Sequence, residues 1–505
     1  MSRRPGLLIA LLLAGACGAH RAPAAPQAAG HPAAPSKAVR QLESDLGQVF
    51  GAPMASRGVW GVEVRSLDKG DVLYGHDAGK LMMPASNMKV LTLAAAAETL
   101  GWDYRYTTTL ETTGTIDGGM LHGDLIVRGT GDPTINTRGS RAKMVMDQWV
   151  AALTAAGIYL IDGRIIGNDQ AFDDEGLGAG WAWDDLQYSY AAPVGALQYD
   201  ENTAALTVVP GTAEGQPASV TIEPGSGFQL LNRTATAATG TAVSIEYKRH
   251  LEAPILEVTG RVPLGSAPVV RAVAVVNPTL FFAQSLKDAL VARGIAVSGP
   301  AADFDEVAAE IVAAGGLAQP RVLVCTQSPP LSEIATVMMK VSQNLYAETL
   351  LKTVGAARGG LGTVAAGETV LKGLLKSWGI ADDAYVPIDG SGLSRYNYVT
   401  AETMVAVLER MYRDLRHRDA FIATLPIAGR DGTISTRLRN THAEGNAVAK
   451  TGSIANVRSL SGFVKTRDGE MLVFSILAND FVIPSSTITW IADVAVETLA
   501  NFSRE

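Results

Sequence analysis

The chain reads as an α+β protein with a long insertion, and three observations predict this. Strand-patterned segments lie near both ends, at 59–74 and 446–479, around a helical middle. An Ala- and Leu-rich helix runs from Pro84 to Leu100, with Gly101 as its stop. From about Thr107 to Pro320 the texture changes to Thr, Gly and Val with many short strand candidates. The expected architecture is one antiparallel sheet with helices, its halves separated in sequence by helices and by one or two mostly β accessory domains. A length of 505 residues exceeds one core and allows for them.

At the N-terminus Arg3 and Arg4 precede an apolar run, Leu7 to Ala16, too short to span a bilayer. Residues 1–17 therefore read as a signal peptide and the protein as exported, to a periplasm or cell envelope. Leu13-Ala-Gly-Ala-Cys17 fits a lipoprotein site with Cys17 lipidated, or ordinary cleavage after Ala16. A cysteine directly after small residues, followed by a soluble tail, favours the first; leucine at the fourth rather than third position back weakens it. A lipid on Cys17 is the one membrane attachment foreseen. Residues 18–36 are an Ala/Pro-rich linker.

A first structural segment, 37–106, opens with a helix over Lys37–Phe50. Trp60, Val62 and Val64 then alternate with Glu63 and Arg65, Asp68-Lys-Gly-Asp71 turns the chain, and Val72-Leu-Tyr74 returns. The insertion, 107–320, holds helices at Met144–Ala156 and Leu280–Gly294 and an inner β domain at about 198–267. The second segment, 321–505, starts a helix with Ser328 as N-cap and Ile334, Val337, Met338 and Val341 facing a core. Ser342-Gln-Asn344 and a helix over Leu345–Val354 follow. Strands at Asn446–Ser453, Arg458–Lys465 and Glu470–Asn479 and a helix at Thr487–Asn501 close the chain.

Composition narrows the function. A net charge of −8 without a long basic run argues against nucleic-acid partners. None of the seven histidines forms a His-x-x-x-His pair, so no metal or cofactor is expected. Asp169, Asp173 and Asp174 lack EF-hand spacing and read as solvated loop acids. Cys325, in the apolar Val322-Leu-Val-Cys325, reads as a buried small hydrophobe.

Ser86 and Lys89 are three apart and share a face of a helix's first turn. A serine hydroxyl is a weak nucleophile that needs a base in reach. Lysine serves as that base only when desolvation or nearby positive charge lowers its pKa from about 10.4. Ser-x-x-Lys is common by chance, so its partners decide. Ser342 offers a second proton-transfer group and Asn344 an amide-holding side chain. Lys450-Thr-Gly-Ser453 offers a cation, the Thr451 hydroxyl, and at Gly452 a strand free of side chain for a substrate backbone. Lys450 near Lys89 is expected to depress its pKa.

Ser-x-x-Lys, Ser-x-Asn and Lys-Thr-Gly in this order resemble the signature of penicillin-binding proteins and serine β-lactamases. The long gap between Ser86 and Ser342 narrows the resemblance to the D-alanyl-D-alanine carboxypeptidase/endopeptidase family of class C low-molecular-mass penicillin-binding proteins, peptidase family S13. Gly129-Thr-Gly-Asp-Pro-Thr134, Trp183-Asp-Asp185, Tyr188-Ser-Tyr190, Asp389-Gly-Ser-Gly-Leu-Ser-Arg395, Leu425-Pro-Ile-Ala-Gly429 and Asp431-Gly-Thr433 match as well, over roughly residues 40–500.

The resemblance implies a penicillin-binding-protein/serine β-lactamase-like domain carrying two nested accessory domains. It also implies roles. Ser86 attacks the carbonyl between two D-alanines and Lys89 takes its proton. Ser342, beside Lys450, protonates the leaving D-alanine, Asn344 holds the acyl amide, and Thr451 and Ser453 bind the carboxylate. The Ser86 and Ser453 N–H groups form the oxyanion hole. Trp183, with Asp184 or Asp185, and Arg395 match positions that in some members recognise a diaminopimelyl side chain. The implied partners are peptidoglycan stem peptides, cross-links and β-lactams.

Two alternatives stay open. A class A β-lactamase needs a deacylating glutamate in Glu-x-x-Leu-Asn, and the nearest strings, Glu348-Thr-Leu-Leu-Lys352 and Glu368-Thr-Val-Leu-Lys372, end in lysine. A catalytically silent wall scaffold would leave Ser86 unlabelled by penicillin.

Overall fold

The computed structural model describes residues 36–313 and 320–505. The signal-peptide and Cys17 expectations lie outside the described residues, as does nearly all of the expected linker. Among the described residues no helix is long and apolar enough to cross a membrane.

The two ends of the chain build one five-stranded antiparallel sheet. Its strand order is Val72–His76, Val59–Ser66, Met471–Asn479, Val457–Lys465 and Val448–Ile454. Val59 pairs with Asn479 and Lys450 with Ser461. Both faces are covered, so the central strand is apolar almost throughout. Leu472, Phe474, Ile476 and Ala478 join the core under the terminal helices Lys37–Phe50 and Ser485–Asn501. Val473 and Leu477 face the other core, shared with helices Met88–Leu100, Leu331–Lys340, Asn344–Ala356 and Ala401–Arg413.

Met88–Leu100 is the centre of that second core. Its residues from Met88 to Ala97 are buried all round, which explains a sequence with no polar stripe. Lys89 and Thr92 are the polar side chains it buries.

The insertion forms two layers of organisation. Its outer sheet runs Ala301–Asp303, Ile165–Asn168, Leu125–Gly129, Thr107–Thr112 and Arg321–Gln327. Two of these pairings are parallel, and helices Arg141–Ala155 and Pro278–Ala292 share its core. Inside it sit two three-stranded sheets, one of 219–222, 203–209 and 269–274, the other of 229–237, 255–263 and 246–249.

Several expectations need correction. Arg321–Gln327 pairs with Thr107–Thr112, so the outer sheet closes after residue 320, at Gln327. The inner sheets run to Ala274, because Val269–Ala274 pairs with Thr203–Val208, beyond the expected limit of 267. Ser328 does not cap a helix: its hydroxyl accepts from the Tyr106 N–H, and Pro330 occupies the cap position. Val341 is exposed, whereas Leu331, Ile334, Ala335, Met338 and Met339 make the buried face. Cys325 is exposed, since Arg321–Gln327 is an edge strand. Asp173 is no solvated loop acid; its carboxylate pairs with the buried Lys352 ammonium at 2.5 Å. Helices Val364–Ser377, Ala401–Arg413 and Arg418–Thr424 were not anticipated.

Candidate active site

Ser86 sits on a 3-10 turn, Ala85–Asn87, just before helix Met88–Leu100, not inside the helix. Ala85 holds φ at +46°, a left-handed value that non-glycine residues rarely adopt. Gly392 makes this possible: a Cβ there would lie 1.8 Å from the Ala85 carbonyl oxygen. The strained turn turns Ser86 away from the helix axis and into a cavity.

Lys89, one turn on, is fully buried. Its Nζ lies 3.0 Å from Ser86 Oγ, 2.7 Å from Asn344 Oδ1 and 2.7 Å from the Ser391 carbonyl oxygen. Burial pushes its pKa down to about 7, against the opposing pull of the Glu348 and Asp389 carboxylates. A neutral amine has two N–H donors and one lone pair. Asn344 and Ser391 take the two donors, which leaves the lone pair for the Ser86 hydroxyl.

Ser342 stands between helices Leu331–Lys340 and Asn344–Ala356 with φ at +62°. Its Oγ accepts from Lys450 Nζ at 2.8 Å. Lys450 is fully buried, and its pKa is well below the ordinary value, through burial first and the charge of Lys89 second. The expected effect of Lys450 on Lys89 gives way to burial, and the repulsion falls on Lys450. Gln343 is not idle: its side chain caps the following helix at Leu345 N–H and donates to Glu201 of the insertion at 2.6 Å.

Gly452 has a packing reason that its sequence does not show. A Cβ there would meet Ser459 Oγ at 2.1 Å, the Pro84 carbonyl at 2.6 Å and the Ser86 nitrogen at 3.0 Å. The missing side chain makes room for the serine turn. Thr451 Oγ1 donates to Thr433 Oγ1 at 2.7 Å.

A cavity of about 530 Å³ opens over Ser86 and is lined by Ser342, Asn344, Asp185, Tyr190, Arg395 and Ser453. Of the two aspartates, Asp185 faces it, and accepts from the Tyr190 hydroxyl at 2.7 Å. Arg395 donates to the Ala455 carbonyl at 3.2 Å. Asp184 is exposed and does not line the cavity. Trp183 is exposed too, with the Lys248 ammonium 5.5 Å from its ring centre, and belongs to a separate depression with Lys248 and His250.

The site contains groups without an assigned role in the sequence reading. Tyr190 closes one wall, and its carbonyl accepts from Asn344 Nδ2 at 2.7 Å. Asp389 accepts from the N–H groups of Gly392 and Ser394, from Asn397 Nδ2 and from Trp181 Nε1. Glu348, fourth after Asn344 and so on the same helix face, accepts from Gly390 N–H at 2.9 Å and Ser391 N–H at 2.7 Å. Both Glu348 oxygens are thus engaged by backbone donors of the Gly390–Ser391 loop. Glu368 is tied to Lys372 at 2.9 Å.

Comparison with known proteins identifies the family and the fold. Residues 42–498 match the D-Ala-D-Ala carboxypeptidase 3 (S13) family. A D-alanyl-D-alanine carboxypeptidase of Actinomadura sp. (strain R39) is 34% identical over 455 residues, 87% of this chain and 81% of that one. The D-alanyl-D-alanine carboxypeptidase DacB of Haemophilus influenzae is 28% identical over 431 residues, 83% of this chain and 85% of that one. The crystal structure of penicillin binding protein 4 (dacB) from Haemophilus influenzae superimposes with a TM-score of 0.74 at 28% identity, covering 88% of this chain and 94% of that one. Its complex with a novel β-lactam gives 0.71 at 25% identity, over 91% and 99%. The fold is thus that of the penicillin-binding proteins, and the chain belongs to the D-Ala-D-Ala carboxypeptidase 3 (S13) family.

Proposed function

We propose that this protein is a serine D-Ala-D-Ala carboxypeptidase and/or endopeptidase of peptidoglycan stem peptides, working through an acyl-enzyme on Ser86 and blocked by β-lactams. The observation that carries this reading is the Lys89 amine, buried at 3.0 Å from Ser86 Oγ with both its N–H groups engaged elsewhere.

The steps follow from the groups in place. Ser86 Oγ gives its proton to Lys89 Nζ and bonds to the carbonyl carbon of the penultimate D-alanine. The oxyanion lies against the N–H groups of Ser86 and Ser453. The C–N bond breaks as the leaving nitrogen takes the Ser342 hydroxyl proton, which Lys450, 2.8 Å away, replaces. A substrate carboxylate at Thr451 and Ser453 favours the charged form of Lys450, which burial alone disfavours. Asn344 holds the acyl amide. The proton taken by Lys89 passes across to Lys450, which restores both; Lys89 then takes a proton from the water that adds to the ester carbonyl and gives it to the departing Ser86 oxygen, releasing the shortened peptide and the free serine. The leaving amine is free D-alanine in the exopeptidase reaction and a cross-linked side chain in the endopeptidase reaction.

Asp185 and Arg395 give the cavity one anion and one cation. They suit a third residue whose side chain ends in both an amine and a carboxylate, as diaminopimelate does. Such a substrate places the enzyme in the cell envelope.

The test is fluorescent penicillin on the mature protein beside Ser86→Ala, followed by denaturing gel and mass spectrometry. A stable adduct on wild type alone, then release of D-alanine or cleavage of cross-linked muropeptides, is the expected result. Rapid turnover of the adduct would make it a β-lactamase. No adduct would leave the scaffold.

A further inference from the structure

We infer that Glu348 is the positioning residue of the Ser86–Lys89 pair: its buried carboxylate clamps the Gly390–Ser391 backbone, so that the Ser391 carbonyl holds the Lys89 amine in line with the serine hydroxyl. The inference rests on the acyl-enzyme reading and adds a residue that reading does not use.

The chain of contacts is short and complete. Glu348 accepts both consecutive N–H groups, Gly390 and Ser391, one on each oxygen. The Gly390 carbonyl accepts from Thr92 Oγ1 at 2.7 Å, one turn after Lys89 on the same helix. The Ser391 carbonyl accepts from Lys89 Nζ at 2.7 Å. Asn344, one turn before Glu348 on its own helix, takes the other Lys89 donor. One helix thus sets both acceptors of the amine, one directly and one through the loop. If the Ser391 carbonyl is lost, a Lys89 N–H is left without a partner, and the lone pair no longer has one direction fixed toward Ser86.

A carboxylate at this place is costly, which argues that it is there for a reason. Glu348 is buried next to a second carboxylate, Asp389, and burial followed by Asp389 pushes its pKa up to about 7. The charged groups acting on the amine are Glu348 from its helix and Asp389 from the loop, while Lys450 from the strand takes the repulsion of Lys89 itself. Of these, the two acids raise the pKa of Lys89 while burial lowers it. Glu348 therefore does two things to Lys89. It fixes the direction of the amine through backbone, and it raises the pH at which the amine becomes free to act, against the larger effect of burial.

The experiment measures the second-order rate of acylation by fluorescent penicillin against pH for wild type, Glu348→Gln, Glu348→Asp and Thr92→Val. Glu348→Gln should slow acylation by about ten- to a hundredfold. It should also move the acid limb of the profile to lower pH, because Lys89 loses an anion that favours its charged form. Thr92→Val disturbs the same loop without changing charge, so it should slow the reaction and leave the limb in place. Glu348→Asp keeps the charge and should likewise keep the limb, and it carries the test if the glutamine variant does not fold. A Glu348→Gln enzyme with the wild-type limb and rate overturns the inference, as does a Glu348→Asp enzyme at the wild-type rate. Wild type that is never acylated overturns the acyl-enzyme reading instead, so the two failures are distinct.

Discussion

The Gly452 α-carbon faces the amide nitrogen of Ser86 so closely that a Cβ would stand 3.0 Å from it. The strand that carries Lys450 therefore lies directly on the turn that carries Ser86. Ser459 adds a tie, donating its hydroxyl to the Pro84 carbonyl at 2.7 Å. Gly452→Ala should push strand and turn apart. The expected protein is folded, is destabilised by about 1–3 kcal/mol as overpacked sites usually are, and acylates about a hundredfold more slowly. Thermal melting and timed penicillin labelling check the two effects. Labelling at the wild-type rate would mean that the strand does not set the turn.

Acylation should depend on pH through Lys89. The base must be neutral, and burial brings its pKa down to about 7. The rate should therefore be full above that pH and fall as pH drops through it, when the ammonium ties up the lone pair. Lys89→Arg should show no acylation at any pH the fold survives, because guanidinium stays charged. A wild-type rate that holds constant well below pH 7 would remove Lys89 as the base.

The residues that the structure brings together were easier to read from the sequence than the walls around them. Ser86, Lys89, Ser342, Asn344 and Lys450 were legible because each belongs to a short string whose chemistry demands that residue type. The sheet was legible because strands buried on both faces, such as Met471–Asn479, are continuous apolar runs. Direction was not legible. Nothing in Trp183-Asp-Asp185 says which side chain faces the cavity, since the segment has no helical or strand period to read. The need for glycine at 452 could be seen, but not that its missing Cβ faces Pro84 and Ser86. Glu348 was visible as a string but without a role: four residues after Asn344, it shares a helix face with the site, yet its two backbone partners come from a loop more than forty residues away.

Ser342 and Lys450 should separate leaving-group protonation from attack. Ser342→Ala removes the hydroxyl that Lys450 contacts at 2.8 Å and leaves Ser86 and Lys89 in place. Release of D-alanine from a stem peptide should fall by about two to four orders of magnitude, the range of a lost general acid. Lys450→Met should raise KM more strongly for substrates that end in a carboxylate than for the corresponding amides. Equal losses on acid and amide would show that Lys450 does not serve the carboxylate.

Asp185 and Arg395 should set which stem peptide is preferred. Asp185 carries a carboxylate into the cavity, steadied by the Tyr190 hydroxyl, and Arg395 carries a guanidinium anchored on the Ala455 carbonyl. A third-position side chain ending in amine and carboxylate can meet both charges. Each charge-assisted hydrogen bond is worth about 1.5–3 kcal/mol, so Asp185→Asn or Arg395→Ala should raise KM for a diaminopimelyl peptide roughly tenfold or more. Peptides with an N-acetylated lysine there offer neither charge and should lose much less. Asp184→Asn is the comparison, because Asp184 is exposed and outside the cavity. Steady-state kinetics on the two peptides, for all three variants, gives the ratios. If Asp184→Asn and Asp185→Asn cost the same on the diaminopimelyl peptide, the cavity is not where that side chain binds. If only Asp185→Asn and Arg395→Ala narrow the preference, the two charges are its readers.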